Sequence, residues 1–209
     1  MMICDMVGGM NFWDERFSGD AFKYGTRPNA FLAEQAHRLP PGARVLVPGD
    51  GEGRNSVWLA EQGFDVTAMD SSSVGLEKGA RLASGRGVKV DTVLADLAEW
   101  TPPAGQFDAV VLVYVHLPSS IRAAAHQRLA KALCPGGWLI LEGFHPEQLK
   151  HNSGGPKDVD MLMTPTLLDA DFGGLLTPVL SWEGETTLDE GPGHQGLARV
   201  TRWVGCRSA

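Results

Sequence analysis

Short apolar runs alternate with helix-period segments from Arg44 onward, and this alternation limits the folds open to the chain. Five runs rich in β-branched residues predict strands: RVLV, DVTAM, VKVDTVLA, FDAVVLVYV and GWLILEGF. Three segments between them have helical spacing: GRNSVWLAEQG, SSVGLEKGARLAS and SIRAAAHQRLAKALC. Because the predicted strands are hydrophobic almost throughout, we expect an α/β fold whose mostly parallel sheet is covered by helices on both faces.

Residues that start or stop helices punctuate these segments. Ser71 to Ser73 can cap the second helix, Pro118-Ser119 opens the third, and Pro135-Gly136-Gly137 ends it. Near the N-terminus, PNAFLAEQAHRL predicts a further helix with Pro28 in its first turn. After Pro178, VLSWEGETTL and LARVTRWVGC flank the polar loop DEGPGHQG, a pattern that predicts an antiparallel hairpin. A short helix, TPTLLDADF, is predicted before it.

The length and composition indicate one domain. The chain has 209 residues, of which 43% are hydrophobic and 21% charged, as expected for a globular protein with a sizeable core. We expect a single domain over 1–209 in three parts. These are an N-terminal segment and helix (1–43), an alternating core (44–145), and a C-terminal loop, helix and hairpin (146–209).

Charge and cysteine content bear on partners and compartment. The net charge is −7 and no basic run is present, which argues against a nucleic-acid partner. Three separated cysteines (Cys4, Cys134 and Cys206) without CxxC spacing predict neither a disulfide framework nor a zinc site. No apolar run reaches the length of a membrane span, and MMICDMVGGMNFWDERF lacks the basic start of a signal peptide. We therefore expect a cytoplasmic protein that does not associate with a membrane.

A glycine-rich loop, VLVPGDGEGRN, follows the first predicted strand and contains Gly49, Gly51 and Gly53. Glycines there allow a tight turn and a close approach of a ligand to the backbone, although a purely structural turn has the same requirement. The loop lacks the Lys-Ser/Thr pair of a phosphate P-loop. Arg54 occupies the position of the third glycine in the nicotinamide fingerprint G-x-G-x-x-G, which weakens that interpretation.

Acidic residues end the next two predicted strands. Asp70 follows Gly49 by 21 positions, close to the spacing of a carboxylate that binds a ribose diol, and it can also cap the next helix. Asp96 ends the third strand, where it can accept a hydrogen bond from an adenine amino group while Leu97 packs near the ring. Because the carboxyl ends of parallel strands share one edge, these residues predict a nucleoside site without a phosphate.

Several motifs of the chain resemble those of class I S-adenosylmethionine-dependent methyltransferases. The glycine loop with the following helix and strand resembles the first two motifs of that class, and FDAVVLVYVHL and LCPGGWLILEGF resemble its strand-four and strand-five motifs. Within the class, YGTRPN, GRNSVWLA and DEGPGHQGLARVTR are most similar to the small tellurite-resistance and thiopurine methyltransferase-like group. The resemblance covers Trp13 to the C-terminus. It implies a Rossmann-like, seven-stranded sheet that ends in an antiparallel hairpin.

The same resemblance implies S-adenosyl-L-methionine as methyl donor, S-adenosyl-L-homocysteine as product, and a cofactor-binding core over 44–145. Two positions depart from the family: Val47 replaces a common acidic residue, and Asp50 replaces a small residue between the glycines. We hypothesise that Asp50 substitutes for the missing partner of the cofactor's ammonium group. The implied cofactor contacts are the lid residues Trp13 and Tyr24, the loop residues Gly49, Asp50, Gly51 and Gly53, Arg54 or Asn55 for the carboxylate, Asp70 and Ser71 for the ribose, Asp96 and Leu97 for the adenine, and Tyr114 beside the methyl group.

The remaining candidates have a structural interpretation beside the functional one. His116 is a candidate catalytic residue or acceptor contact, or a strand-end histidine satisfied by its neighbours. His194 and Arg199 are candidate substrate contacts, since the hairpin tip approaches the acceptor in the family, or parts of a solvated turn. The aromatic N-terminal segment is a lid over the cofactor or a patch that pins the first helix. No metal site is expected, because the histidines lack a ligand set.

These observations predict an S-adenosylmethionine-dependent methyltransferase that moves a methyl group to a small-molecule nucleophile by in-line displacement. Positioning and desolvation dominate such a reaction, so no catalytic triad is required. Two alternatives share the fold: an NAD-dependent oxidoreductase and a non-catalytic cofactor-binding module. We expect a monomer or a homodimer.

Overall fold

The computed structural model describes residues 12–208, so Cys4 and the first eleven residues lie outside the described part. Seven strands form a single sheet and six α-helices accompany it. The strands are β1 (Arg44–Pro48), β2 (Asp65–Asp70), β3 (Asp91–Leu94), β4 (Phe107–Val113), β5 (Leu133–Phe144), β6 (Leu176–Glu190) and β7 (His194–Arg207). The helices are α1 (Phe12–Phe17), α2 (Ala30–Gln35), α3 (Arg54–Glu61), α4 (Ser73–Gly85), α5 (Ser119–Ala132) and α6 (Pro165–Phe172).

The strand order is β3-β2-β1-β4-β5-β7-β6. β1 to β5 pair in parallel, and β7 runs antiparallel between β5 and β6. This arrangement confirms the predicted seven-stranded, mostly parallel sheet with a terminal antiparallel hairpin. The chain order reverses between β1 and β4, and ligands of such sheets bind outside the carboxyl ends of the strands at this switch point.

Alternate residues of the central strands enter two separate cores, as the two-residue period of a strand requires. On one face Leu46 and Leu112 pack with α5 and α6, while on the other Val45 and Val47 pack with α2 and α3. Both faces of the sheet are therefore covered by helices, in agreement with the nearly continuous hydrophobic strands. No helix of the described part is long and apolar enough to traverse a bilayer.

Several predicted boundaries agree with the structure and others do not. Ser72 caps α4 by accepting a hydrogen bond from the Gly75 amide at 3.0 Å, and α5 begins directly after Pro118, as predicted. The prediction that Pro135-Gly136-Gly137 ends that helix was wrong: α5 ends at Ala132, and these residues form an irregularity inside β5 between Leu133 and Trp138.

Three further elements differ from the sequence prediction. The third strand is shorter, since only Asp91–Leu94 of VKVDTVLA pairs with β2. Pro28 lies before the helix rather than in its first turn, because the side chain of Asn29 provides the cap by accepting from the Leu32 amide at 2.9 Å. The hairpin is longer than predicted, with pairing down to Glu190 and His194, so that only residues 191–193 form the turn.

Candidate cofactor and acceptor site

The glycine loop lies at the carboxyl end of β1, at the switch point. Gly49, Gly51 and Gly53 have φ values of +65°, +60° and +88°, a region that side chains with a Cβ rarely occupy. The loop is fixed to the neighbouring strand, because the amides of Gly49 and Asp50 both donate to the carbonyl of Met69, at 2.7 and 3.2 Å. The backbone conformation of the loop therefore requires glycine at all three positions.

Close neighbours add a second requirement. A Cβ on Gly49 would lie 2.7 Å from a methyl of Val115, and one on Gly51 would lie 3.0 Å from the Phe17 ring. A Cβ on Gly53 would lie 2.6 Å from the Cα of Gly79 in α4. The third glycine thus serves the approach of two helices, whereas the first two lie against residues that border the predicted ligand site.

Asp70 is the last residue of β2, and Asp96 and Leu97 follow β3 at the same edge of the sheet. The Asp70 carboxylate accepts from the amides of Gly51 and Ser72, both at 2.8 Å, and its burial raises the pKa of the carboxyl above its ordinary value. Ser71 is partly buried beside it. Asp96 is exposed and accepts from the Ala98 amide at 2.8 Å, while Leu97 is buried. A polar, partly solvated row therefore follows the edge from β1 to β3.

Asp50 is buried under the glycine loop and faces the first turn of α3. Its oxygens accept from the amide of Ser56 at 3.3 Å and from the Ser56 hydroxyl. Desolvation outweighs these bonds and raises the pKa of the carboxyl to about 6. The charge of Asp50 consequently changes close to neutral pH.

Arg54 and Asn55 begin α3 and are both buried. One guanidinium nitrogen of Arg54 donates to Glu190 at 2.7 Å, while its Nη1 has no hydrogen-bond partner among residues 12–208. The side-chain oxygen of Asn55 accepts from the Asn29 amide at 2.9 Å. Arg54 therefore retains a buried donor for a further acceptor.

Asn29 is the centre of a buried polar network that the sequence analysis did not identify. It is fully buried, and its amide nitrogen donates to Glu142 at 2.7 Å and to Glu190 at 2.8 Å. Glu142 also accepts from the hydroxyl of Tyr114 at 2.7 Å and pairs with Arg202 at 2.5 Å. Two signals were present in the sequence: an asparagine at a helix start, and a glutamate inside the apolar run GWLILEGF.

Tyr114 follows β4 with a φ of +55°, the only described residue other than glycine in that region. Its ring packs 4.7 Å from Phe144 and 4.5 Å from His194, measured between centroids. Burial, together with the charges of Glu142 and Glu190, raises the pKa of the phenol well above its ordinary value. Tyr114 is therefore a neutral hydrogen-bond donor at the end of β4.

His116 is held by the backbone of β5. Its Nε2 accepts from the Phe144 amide at 2.9 Å, so this nitrogen carries no proton. Burial, with a smaller contribution from His194, lowers the pKa of the imidazole to about 3. The ring is thus neutral across the physiological range, and one of its two nitrogens already has a partner.

His194 and Arg199 belong to different clusters. His194 is buried and lies 4.5 Å from the Tyr24 ring, while its Nδ1 is 3.9 Å from Glu190, too far for a hydrogen bond. Burial lowers the pKa of His194. Arg199 instead pairs with Glu147 and Glu183, each at 3.3 Å. The structure therefore brings His194, but not the charged end of Arg199, together with Tyr24 and Tyr114.

The N-terminal segment covers the glycine loop and includes α1, a helix that the sequence analysis did not predict. Trp13 stacks on Phe17 at 5.6 Å, and Phe17 packs against both Gly51 and Gly75. Asp14 accepts from the Ser72 hydroxyl at 2.6 Å and from the Val74 amide at 3.2 Å. This segment, residues 12–25, is called the lid below.

Comparisons with known proteins agree with this geometry. Residues 45–137 match the family model described as a methyltransferase domain. Thiopurine S-methyltransferase from Bordetella petrii is 40% identical over 70 residues, which cover 32% of this chain and 32% of that enzyme. Probable thiol methyltransferase 2 from Arabidopsis thaliana is 28% identical over 172 residues, or 78% of this chain and 70% of the relative. The chain thus spans about a third of the thiopurine S-methyltransferase that it matches.

A solved structure supports the fold independently. The N-methyltransferase NodS from Bradyrhizobium japonicum, in complex with S-adenosyl-L-homocysteine, superimposes with a TM-score of 0.69 at 16% identity, covering 94% of this chain and 97% of NodS. In the matched domain, the glycine loop and the position of the antiparallel β7, the chain is similar to the class I S-adenosylmethionine-dependent methyltransferases.

Proposed function

We propose that the chain transfers the methyl group of S-adenosyl-L-methionine to a nucleophilic atom of a small molecule. The observation that carries this proposal is the match of residues 45–137 to a methyltransferase domain. The glycine loop, Asp70 at the end of β2 and Asp96 after β3 lie inside the matched range and at one edge of the sheet. The family and the geometry therefore point to the same site.

In this proposal the strand ends hold the donor in extended form. Asp70 uses one lone pair on each oxygen for a backbone amide, which leaves others for the two ribose hydroxyls. Asp96, exposed beside the buried Leu97, binds the adenine amino group. The Nη1 of Arg54, which has no hydrogen-bond partner within residues 12–208, meets the methionine carboxylate, and the amide group of Asn55 assists it.

The reaction requires little acid–base chemistry. When bound, S-adenosyl-L-methionine would supply an electrophilic methyl carbon. An ionised acceptor such as a thiolate would form the new bond with a lone pair as the S–C bond breaks, and the electrons of that bond would remain on sulfur as a neutral thioether. In this proposal the aromatic ring of Tyr114 lies near the sulfonium and strengthens binding of the charged donor relative to its neutral product, since a ring attracts a nearby cation. A role for His116 as general base would require Nε2 to release the Phe144 amide, so we propose that His116 acts as a contact that shapes the acceptor pocket.

The acceptor is proposed to be small and to bind among the rings of Tyr24, Tyr114, Phe144 and His194. The names of two relatives, a thiopurine S-methyltransferase and a probable thiol methyltransferase, favour sulfur nucleophiles as the first acceptors to test. We further propose a cytoplasmic protein, monomeric or homodimeric, that has no nucleic-acid partner. The free thiols of Cys134 and Cys206 fit a reducing compartment.

The two alternatives are less well supported. An NAD-dependent oxidoreductase is not favoured, because Arg54 occupies the third glycine of the dinucleotide fingerprint and the matched family is a methyltransferase domain. A cofactor-binding module without activity shares the donor site and differs only in turnover. Its distinguishing feature is tight binding of S-adenosyl-L-homocysteine without methyl transfer to any acceptor.

Two measurements test the proposal. In calorimetric titrations we expect heat of binding with S-adenosyl-L-homocysteine and none with NAD. Asp70→Asn should lower the affinity for S-adenosyl-L-homocysteine by about tenfold or more. Lys89→Met, on the exposed surface, serves as the matched control. In the second measurement, a panel of small thiols, phenols and amines is assayed for release of S-adenosyl-L-homocysteine. Binding of NAD in place of the nucleoside would overturn the proposal.

A further inference from the structure

Lys78 and Glu52 form a buried ion pair that the proposed chemistry does not use. Their charged atoms are 2.5 Å apart, and each side chain is only 3% exposed. Glu52 belongs to the glycine loop, between Gly51 and Gly53, and Lys78 belongs to α4. Because desolvating two charges is unfavourable, a pair of this kind calls for an explanation in terms of what else its atoms bind.

Both side chains bind the backbone of the lid. The Lys78 ammonium donates to the carbonyls of Phe17, Gly19 and Ala21, at 3.2, 2.7 and 2.8 Å. The second oxygen of Glu52 accepts from the Lys23 amide at 2.6 Å. Four backbone groups of a seven-residue segment without a strand partner are thus satisfied by one pair of charges.

The lid, to which this segment belongs, contacts the glycine loop and the start of α4. Phe17, whose carbonyl binds Lys78, packs against Gly51 and Gly75, and Asp14 one turn earlier binds Ser72 beside Asp70. The Phe22 ring, at the other end, lies 5.2 Å from the Lys78 ammonium. Displacement of the ammonium would therefore free the carbonyls of Phe17, Gly19 and Ala21 and loosen the lid over the glycine loop.

We propose that Lys78 and Glu52 are positioning residues that hold the lid closed over the donor. Because Glu52 belongs to the glycine loop, its side chain couples the position of the lid to that of the loop. This inference rests on the proposed function for the identity of the donor. Recognition is through backbone atoms of the lid, so the sequence of residues 18–23 matters less than the two charges that bind it.

The test uses the 209-residue chain, two test variants and one control variant. Lys78→Met removes the ammonium but leaves Glu52 buried without a counter-charge, which endangers folding. The double variant Lys78→Met/Glu52→Gln removes both charges and keeps an acceptor for the Lys23 amide, so it preserves the fold. Arg81→Met, an exposed position on the same helix, is the control.

Hydrogen exchange of the unliganded protein is the first readout. In the double variant we expect faster exchange of amides in residues 12–25 and unchanged exchange in β4 and β5. The second readout is affinity for S-adenosyl-L-homocysteine, which we expect to fall about tenfold or more because donors to three carbonyls are lost. The KM for the donor should rise correspondingly, with kcat at saturation changed far less.

The outcomes separate this inference from the proposed function. Unchanged exchange in the lid of the double variant would refute the proposal that the ion pair holds the lid. Faster exchange with unaltered affinity would refute a part of the ion pair in donor binding. If the wild-type protein does not bind S-adenosyl-L-homocysteine, the proposed function fails, whereas the exchange experiment still decides whether the ion pair holds the lid.

Discussion

Asp50 offers a quantitative test of how the glycine loop is built. Its carboxyl is buried, and its pKa rises from 3.8 to about 6 in the folded protein. This rise in pKa corresponds to a free energy of about 3 kcal/mol. Because the folded state binds the proton more tightly, Asp50 destabilises the protein increasingly as the pH rises from about 4 to about 6, and the full effect is present above that range.

Asp50→Asn removes this titration while keeping an acceptor for the Ser56 amide. The free energy of unfolding is measured by urea denaturation of wild type and variant at several pH values. The difference between the two proteins cancels the titration of all other groups that the substitution leaves undisturbed. We expect the variant to gain about 2 kcal/mol relative to wild type between about pH 4.5 and about pH 7.5. Parallel stability curves would refute the argument that burial controls this carboxyl.

The same variant examines the hypothesis that Asp50 binds the cofactor's ammonium group. If it does, bound S-adenosyl-L-homocysteine stabilises the carboxylate, and binding near pH 6 releases protons that calorimetry in two buffers detects. If Asp50→Asn binds S-adenosyl-L-homocysteine as tightly as wild type does, the Asp50 carboxylate serves only to bind the first turn of α3.

Three other substitutions examine separate features. Gly53→Ala should lower the free energy of unfolding in urea by about 2–4 kcal/mol, because it combines a φ of +88° with a Cβ 2.6 Å from Gly79. Gly63→Ala has a φ of +87° but open space around the Cβ, so it should show only the backbone cost of about 1–2 kcal/mol. Equal losses would contradict the packing argument. Asn29→Ala removes a cap and the shared donor of two buried carboxylates and should cost about 3–5 kcal/mol by the same assay, against less than about 1 kcal/mol if the network is replaced by water. His116→Asn keeps an acceptor for the Phe144 amide. Because the pKa of His116 is lower in the folded than in the unfolded protein, wild type should lose stability as the pH falls below about 6.5, and the variant should lose less. Identical dependence of stability on acid pH would show that the imidazole is not buried in its neutral form.

Much of the fold follows from local sequence patterns. Hydrophobic periodicity locates five parallel strands and most helices, and Ser72 and Pro118 mark two helix starts because capping depends on neighbouring residues alone. The predictions that were wrong depend on distant parts of the chain. Leu133 continues into the sheet because Phe107 pairs with it, and the hairpin extends to His194 because β7 pairs with β6 along its whole length.

The candidate site shows the same division. The glycines, Asp70 and Asp96 are recognisable because each lies at the end of a strand or within a few residues of it. Asn29 binds Glu142 and Glu190 across separations of 113 and 161 positions, and no local pattern joins them. Lys78 also gives no local signal, since a lysine inside an amphipathic helix normally faces water. Its role depends on a segment more than fifty residues earlier.

The position of β7 also governs how the chain assembles. Until β7 has been synthesised, β5 presents an open edge, and such an edge can pair with another copy of the chain. The hairpin that closes it runs about 50 Å along β6, and at its turn the Gly193 amide donates to the Lys23 carbonyl at 2.9 Å. The lid and the hairpin turn, which lie far apart in the sequence, therefore meet beside the glycine loop. A nascent chain stalled before residue 194 would expose the unpaired edge of β5, and we expect chaperones to bind that edge.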